Sequence, residues 1–216
     1  MKIKLKSFVR NNSVYIALAN TLAFAKWARK KYRAPSPHFI KQACLLRNGF
    51  ENAIWVETGT YLGETTRVLA KHSSMVYTIE PEPRLFANAV KYFKNHKNVR
   101  VLNGTSEQIF PTLLKEIQGN VNFWLDGHYS AGITFKGEND TPILEELKHI
   151  SENLKQFRNI CVLIDDIRCF NPKHPEYANY PNLDSLVNWA SSNDLEWHIE
   201  HDIFVARSTA NISACQ

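Results

Sequence analysis

Glu57, Glu80, Asp126, Asp165 and Asp166 are the side chains in this sequence placed to do chemistry, because each follows directly on a short apolar run. A carboxylate at the mouth of a strand accepts from ammonium or hydroxyl groups. Two adjacent ones, as in Asp165-Asp166, repel each other, and a cation relieves that repulsion. Glu57 opens the segment Glu57-Thr58-Gly59-Thr60-Tyr61-Leu62-Gly63, after which Glu64-Thr65-Thr66 lead into a helical pattern. Glycines at 59 and 63 let the backbone turn tightly and let a ligand approach it, while the N–H groups of a helix start favour a carboxylate or phosphate. With Glu57 beside them as an acceptor for an ammonium group, the turn suits a zwitterion better than a pyrophosphate. Taken alone, E-x-G-x-x-x-G also describes any βα turn of an α/β domain.

The elements that must position these carboxylates follow from the apolar periodicity. Ile54 to Val56 reads as a strand, Thr65 to Lys71 as a helix, and Met75 to Ile79 as a second strand ending at Glu80. Glu80 lies 23 residues beyond Glu57, where a doubly wound fold puts an acid that accepts from ribose hydroxyls. Pro83 to Asn95 is a helix and Val99 to Leu102 a third strand, after which Ser106 and Glu107 fall near the adenine in this topology. A serine there is equally explicable as a helix N-cap. Val121 to Leu125 is a fourth strand ending on Asp126-Gly127-His128-Tyr129-Ser130. From Gly127 to Asp140 there is no periodicity, and the position of that loop at a central strand's carboxyl end supports a functional role. Asp140-Thr141-Pro142 then supplies a cap and a proline at the first helical position, with Glu145 and Glu146 in the first turns. Asn159 to Ile164 is continuously apolar, as a strand buried on both faces should be.

After a loop at 171 to 181, a helix at 182 to 191 and two closing strands at 196 to 199 and 203 to 206 complete the pattern. Five βα units followed by a closely connected strand pair predict an α/β fold: a doubly wound, mostly parallel seven-stranded sheet with a reversed final strand. Residues 1–50 are expected to form a basic helical extension, 51–207 the domain, and 208–216 a loose tail.

The net charge of +5 conceals an asymmetry. Residues 1 to 50 hold eleven Lys or Arg and no Asp or Glu, whereas the remaining 166 hold fifteen basic and twenty-one acidic residues. The basic character belongs to the extension, which argues against nucleic acid as a partner, since an electrostatic footprint should spread over the domain's binding face. Within the extension, the apolar run from Val14 to Ala25 is too short to span a bilayer. It reads as a helix packed on the domain or on a second subunit, or as one lying on an anionic membrane surface. Ala34-Pro35-Ser36-Pro37 ends it, and a further helix from about Pro37 to Asn48 follows, with Gly49 as its cap. Cys44, Cys161, Cys169 and Cys215 show no C-x-x-C spacing, so neither a zinc site nor a disulfide framework is indicated. Reduced thiols fit a cytoplasmic protein.

Glu57, Gly59, Tyr61, Gly63, Glu80, the run from Gly104 to Pro111, Asp126 and Asp165-Asp166 together resemble the class I S-adenosylmethionine-dependent O-methyltransferases. The resemblance covers roughly residues 53 to 167. It points to the metal-dependent branch that contains catechol O-methyltransferase and the enzymes that methylate sugar hydroxyls of natural products. It implies a Rossmann-like methyltransferase fold in which Glu57 holds the methionine amino group, Gly59 and Gly63 admit the cofactor, and Thr65 binds its carboxylate. Glu80 takes the ribose hydroxyls, Ser106 and Glu107 lie near the adenine, and Tyr61 and Asp126 belong to the same cofactor set. Asp126, Asp165 and Asp166 would coordinate a divalent metal, Mg2+ by preference, although the catechol enzymes carry an asparagine where Asp166 stands. Those enzymes also place a lysine base where this chain has Tyr129. His128 is then the nearest group of suitable pKa and Tyr129 the weaker candidate.

The implied reaction is methyl transfer to a hydroxyl of a small polar, sugar-like acceptor, with His128, Tyr129, Lys136, His174 and Tyr177 in the loops that would line its pocket. A metal-independent enzyme of the same fold and a non-catalytic binding module remain alternatives. A nicotinamide enzyme is disfavoured because the first turn lacks G-x-G-x-x-G.

Overall fold

The computed structural model of the 216-residue chain describes residues 13–127 and 141–209. Two helices lead in, α1 (Ser13–Arg29) and α2 (His38–Asn48). Strand and helix then alternate through β1 (Ile54–Thr58), α3 (Glu64–Leu69), β2 (Met75–Glu80), α4 (Pro83–Phe93), β3 (Val99–Asn103), α5 (Ser106–Glu116) and β4 (Gly119–Leu125). The chain continues with α6 (Ile143–Asn153), β5 (Phe157–Ile164), α7 (Leu183–Ser192), β6 (Leu195–Glu200) and β7 (Ile203–Ser208). The seven strands form one sheet in the order β3-β2-β1-β4-β5-β7-β6. The first five are mutually parallel, and β7 runs antiparallel to both β5 and β6. This is the doubly wound, mostly parallel seven-stranded sheet with a reversed final strand that the strand pattern predicts.

Alternation along the central strands divides the core in two, because successive side chains of a strand point to opposite faces. Val121, Phe123 and Leu125 of β4 and Ile160, Val162 and Ile164 of β5 meet Phe110 and Leu114 of α5, Leu147 and Ile150 of α6, and Leu186 of α7. Trp55 of β1, Trp124 of β4 and Cys161 and Leu163 of β5 meet Leu45 of α2, Leu69 of α3 and Phe93 of α4 on the other face. With both faces covered, apolar runs such as Ile160–Ile164 are strands buried on both sides.

Several ends are set by local chemistry. Glu82 caps α4 by accepting from the Leu85 N–H at 2.7 Å, with Pro83 at the first helical position. Gly49 closes α2, but with extended backbone rather than the left-handed form of a helix-ending glycine. Its reason is packing: a Cβ there would lie 2.5 Å from the Trp55 ring. Helix α6 starts one residue later than the proline pattern implies, with Pro142 as its N-cap. Cys44, Cys161 and Cys169 are buried free thiols. Among the described residues no helix is long and apolar enough to cross a membrane.

Candidate functional site

Strand order reverses between β1 and β4, and the crevice outside their carboxyl ends is where an open α/β sheet binds its ligand. Glu57 is the penultimate residue of β1, 1% exposed, and the described bonds to its carboxylate both fall on Oε2, from Thr66 Oγ1 at 2.5 Å and Thr78 Oγ1 at 2.7 Å. Because the Thr78 proton goes to Glu57, the 2.6 Å contact between Thr60 and Thr78 must be Thr60 donating to Thr78 when Glu57 is ionised. Burial pushes the Glu57 carboxyl up to about 7, against the pull of the Thr66 and Thr78 bonds, and the charge of Glu80 adds to the rise. A buried carboxylate balanced between its two protonation states near neutrality is one that a ligand ammonium can hold ionised.

Glu80 ends β2, adjacent to β1. Its Oε2 accepts from the Tyr61 N–H at 2.8 Å and its Oε1 from the Glu82 N–H at 3.0 Å, so it braces the β1–α3 turn from the neighbouring strand. Each oxygen keeps a second acceptor direction for a hydroxyl. Burial raises its pKa, partly offset by those two backbone bonds. Tyr61, at φ +48°, is half exposed beside it.

The two glycines of the turn adopt the left-handed backbone that a tight turn needs, at φ +88° and +71°, and have a second reason besides. Gly59 has φ +88°, and a Cβ on it would stand 2.8 Å from the carbonyl oxygen of Asp126. A Cβ on Gly63 would stand 2.8 Å from the Phe93 ring. At both, the left-handed backbone and the protein's own atoms together exclude a side chain. Helix α3 is six residues long, so its dipole at Thr65 is weak. Thr65 is buried, with Oγ1 3.4 Å from His38 Nε2, which brings α2 to the edge of the turn.

At the end of β3, Thr105 rather than Ser106 is the N-cap of α5, and Gln108 Oε1 accepts from the Thr105 N–H at 3.2 Å. Ser106 is therefore a buried first-turn residue, its hydroxyl 3.5 Å from the Glu107 carboxylate. Asp126 follows β4, and its N–H donates to the Thr58 carbonyl at 3.3 Å and to Thr58 Oγ1 at 3.2 Å. His128, Tyr129 and Lys136 lie outside the described residues.

The expected metal set does not fit. Lys41 of α2 places Nζ 2.6 Å from both carboxylate oxygens of Asp165 and 2.9 Å from Asp166 Oδ1. Asp165 Oδ1 also accepts from the Asp166 N–H at 2.7 Å, and Asp166 Oδ1 from Arg168 Nη1 at 2.6 Å, with Arg168 bonded in turn to Asp202. Both Asp165 oxygens and Oδ1 of Asp166 are thus bonded to an ammonium or a guanidinium where a divalent ion would sit. Among the described residues no group of three His, Cys, Asp or Glu side chains comes together to hold a metal. Burial acts against the charge of Lys41, but Asp165 and then Asp166 outweigh it and raise its pKa. Burial, then repulsion from Asp166, pushes Asp165 up to about 6 in spite of Lys41. Asp166 adopts φ +55°, a left-handed conformation that Asp and Asn tolerate.

Lys41 carries no local signal in the sequence, since nothing in His38–Asn48 marks one lysine as buried. Glu146 was legible only as a first-turn acid of α6. It is 1% exposed and faces a small cavity shared with Gly127, Asp165, Phe170 and Tyr180.

The fold defines an architecture: a seven-stranded, doubly wound α/β sheet with one antiparallel strand. No protein-family model matches the chain, and no curated protein matches it in sequence. Among solved structures, it is similar to the N-methyltransferase NodS from Bradyrhizobium japonicum WM9 in complex with S-adenosyl-L-homocysteine. That likeness has 14% identity, covers 78% of this chain and 84% of that one, and has a TM-score of 0.51. A Streptococcus mutans protein described as a methyltransferase, also in complex with S-adenosylhomocysteine, is 16% identical over 81% of this chain and 98% of its own, at a TM-score of 0.49. An rRNA methylase from Streptococcus thermophilus gives 14%, 81%, 96% and 0.45. The first of these shows the fold, and the other two fall too low to carry argument.

Proposed function

We propose that the chain binds S-adenosylmethionine at the carboxyl ends of β1 and β2 and transfers its methyl group to a hydroxyl of a small polar, sugar-like acceptor without a divalent metal. The observation that carries this is the pair Glu57 and Glu80 on adjacent parallel strands, flanking the turn from Gly59 to Gly63. When bound, S-adenosylmethionine supplies a methyl group on a cationic sulfonium, which an acceptor oxygen takes by in-line displacement. Glu57 holds the amino group through its carboxylate, with Thr66 and Thr78 fixing the rotamer. Glu80 accepts from ribose hydroxyls while its backbone bonds keep it aimed across the turn. Thr65 borders the carboxylate end, and Ser106 and Glu107 border the adenine.

Asp126 stands at the switch point between β1 and β4, on the acceptor side. His128 and Tyr129, two and three residues further on, are the candidates to take the acceptor proton. Lys41 supplies fixed positive charge over Asp165 and Asp166, so that a rim with two adjacent carboxylates does not repel the acceptor oxygen as its proton leaves.

The test is a calorimetric titration of the full chain with S-adenosylhomocysteine in EDTA and again in Mg2+. Binding of equal strength in both is expected, and Glu57→Gln should weaken it by about 10- to 100-fold, the loss of one charge-assisted bond. Absence of binding by the wild type sinks the reading. Binding that requires Mg2+ restores the metal-dependent alternative.

A further inference from the structure

Helix α1 has two opposite faces, and both are largely apolar. Ile16, Asn20, Ala23 and Trp27, spaced i, i+4, i+7 and i+11, are half-buried or buried, as is Ala28 beside Trp27. Trp27 anchors this face: its ring meets Tyr32 and His201 at 5.0 and 5.7 Å, and Nε1–H donates to the Arg33 carbonyl at 2.9 Å. The same spacing on the other side carries Leu18, Leu22, Ala25 and Arg29, all exposed, the two leucines at 61% and 63%. A helix resting on a domain in water ordinarily turns polar residues outward. This one turns out leucines, with Phe24 also 44% exposed. Next to them Lys26, Arg29, Lys30, Lys31 and Arg33 are exposed as well.

We infer that this outer face of α1 docks on an anionic lipid surface. Leu18 and Leu22 enter the boundary between headgroups and acyl chains, and the five cations at the end of the helix meet lipid phosphates and carboxylates. Charge decides between this occupant and a second copy of the chain. The segment from Ser13 to Arg33 holds five cations and no carboxylate, so two copies pairing helix to helix would bring like charges together. An anionic membrane supplies the missing counter-charge. The Trp27–His201 contact ties α1 to the turn between β6 and β7, at the edge of the sheet where β1, β2 and β5 end. The C-terminal end of α1 therefore lies at the same edge of the fold as the candidate site, although the inference does not depend on what that site does.

Co-sedimentation of the full chain with vesicles tests this, comparing pure phosphatidylcholine with vesicles containing about 30 mol% phosphatidylserine. Binding to the anionic vesicles should be at least about tenfold tighter than to the neutral ones, and should weaken as salt is raised to about 0.5 M. Leu18→Gln/Leu22→Gln and Lys30→Glu/Lys31→Glu should each lose about tenfold or more of it. Both variants should keep the wild-type circular dichroism and thermal midpoint, because the altered side chains are exposed. Equal binding to the two vesicle types, or none, overturns the inference. So does a dimer, seen by sedimentation velocity, that the leucine variant dissociates while vesicle binding stays unchanged.

Discussion

Lys41 Nζ lies 2.6 Å from both carboxylate oxygens of Asp165, across 124 residues of chain. Through this contact the basic extension closes over the end of β5, and a side chain supplies the positive charge that the adjacent carboxylates call for. With Lys41 12% and Asp165 4% exposed, this is a largely buried pair. Removing one partner of such a pair costs far more than a surface bridge would.

Lys41→Met should therefore lower stability by about 3 kcal/mol, from the uncompensated charge left at Asp165. It should also open Asp165 and Asp166 to an added cation, so that Mg2+ or Mn2+ raises the thermal midpoint of the variant and leaves the wild type unmoved. Thermal denaturation with and without the metal reads both effects. A wild type that is itself stabilised by Mg2+ would show that the ammonium does not fill the cation's place.

The raised pKa of Glu57 has two consequences of opposite sense. Its folded value of about 7 exceeds its ordinary value of 4.5, so between them the folded chain binds more protons than the unfolded one. Stability of the free protein should therefore fall as pH rises through that window and level off above it. Binding of an amino group needs the ionised carboxylate, so S-adenosylhomocysteine affinity should rise over the same pH range, by up to about tenfold per unit below the pKa. Glu57→Gln should flatten the affinity profile and make the stability profile shallower, the remaining slope coming from Asp165 and Glu80, whose pKa values burial also raises. Urea melts and titrations at a series of pH values check the pair, and a parallel rather than opposed dependence would contradict the assignment.

Gly59 and Gly119 share nearly the same φ, +88° and +89°, but only Gly59 has atoms where a Cβ would go. Gly119→Ala should cost about 1 kcal/mol, the strain of a side chain in the left-handed region. Gly59→Ala should cost about 2 kcal/mol more, because its obstacle is the Asp126 backbone, which cannot swing aside. Chemical denaturation of the two variants measures the difference, and loss of S-adenosylhomocysteine binding should accompany only the first-turn change. Equal costs would mean that the approach of Asp126 to the turn is not close.

The strand pattern was legible because it is local. Apolar runs such as Ile160–Ile164 and the carboxylates that end them mark strands and their mouths without reference to any other part of the chain. The turn roles of Gly59 and Gly63 and the capping role of Gly49 were legible, but what crowds each of them was not. Glycine signals only that a side chain is unwelcome, and here the reasons are the Asp126 carbonyl, the Phe93 ring and the Trp55 ring, each remote in sequence. Ser106 and Thr105 illustrate a smaller ambiguity, in which two adjacent hydroxyls can each cap a helix and backbone geometry selects one.

By itself, then, the order of residues determined the sheet, its two covered faces, and the edge at which Glu57, Glu80, Asp126 and Asp165 gather, since periodicity and strand ends are written into neighbouring positions. Only the tertiary structure decided what neutralises the Asp165-Asp166 pair. An isolated lysine on an ordinary helix becomes the counter-ion of Asp165 and Asp166 when the extension folds back over β5. No short-range pattern encodes that meeting, because the energy of a buried ion pair depends on which distant groups share its enclosure.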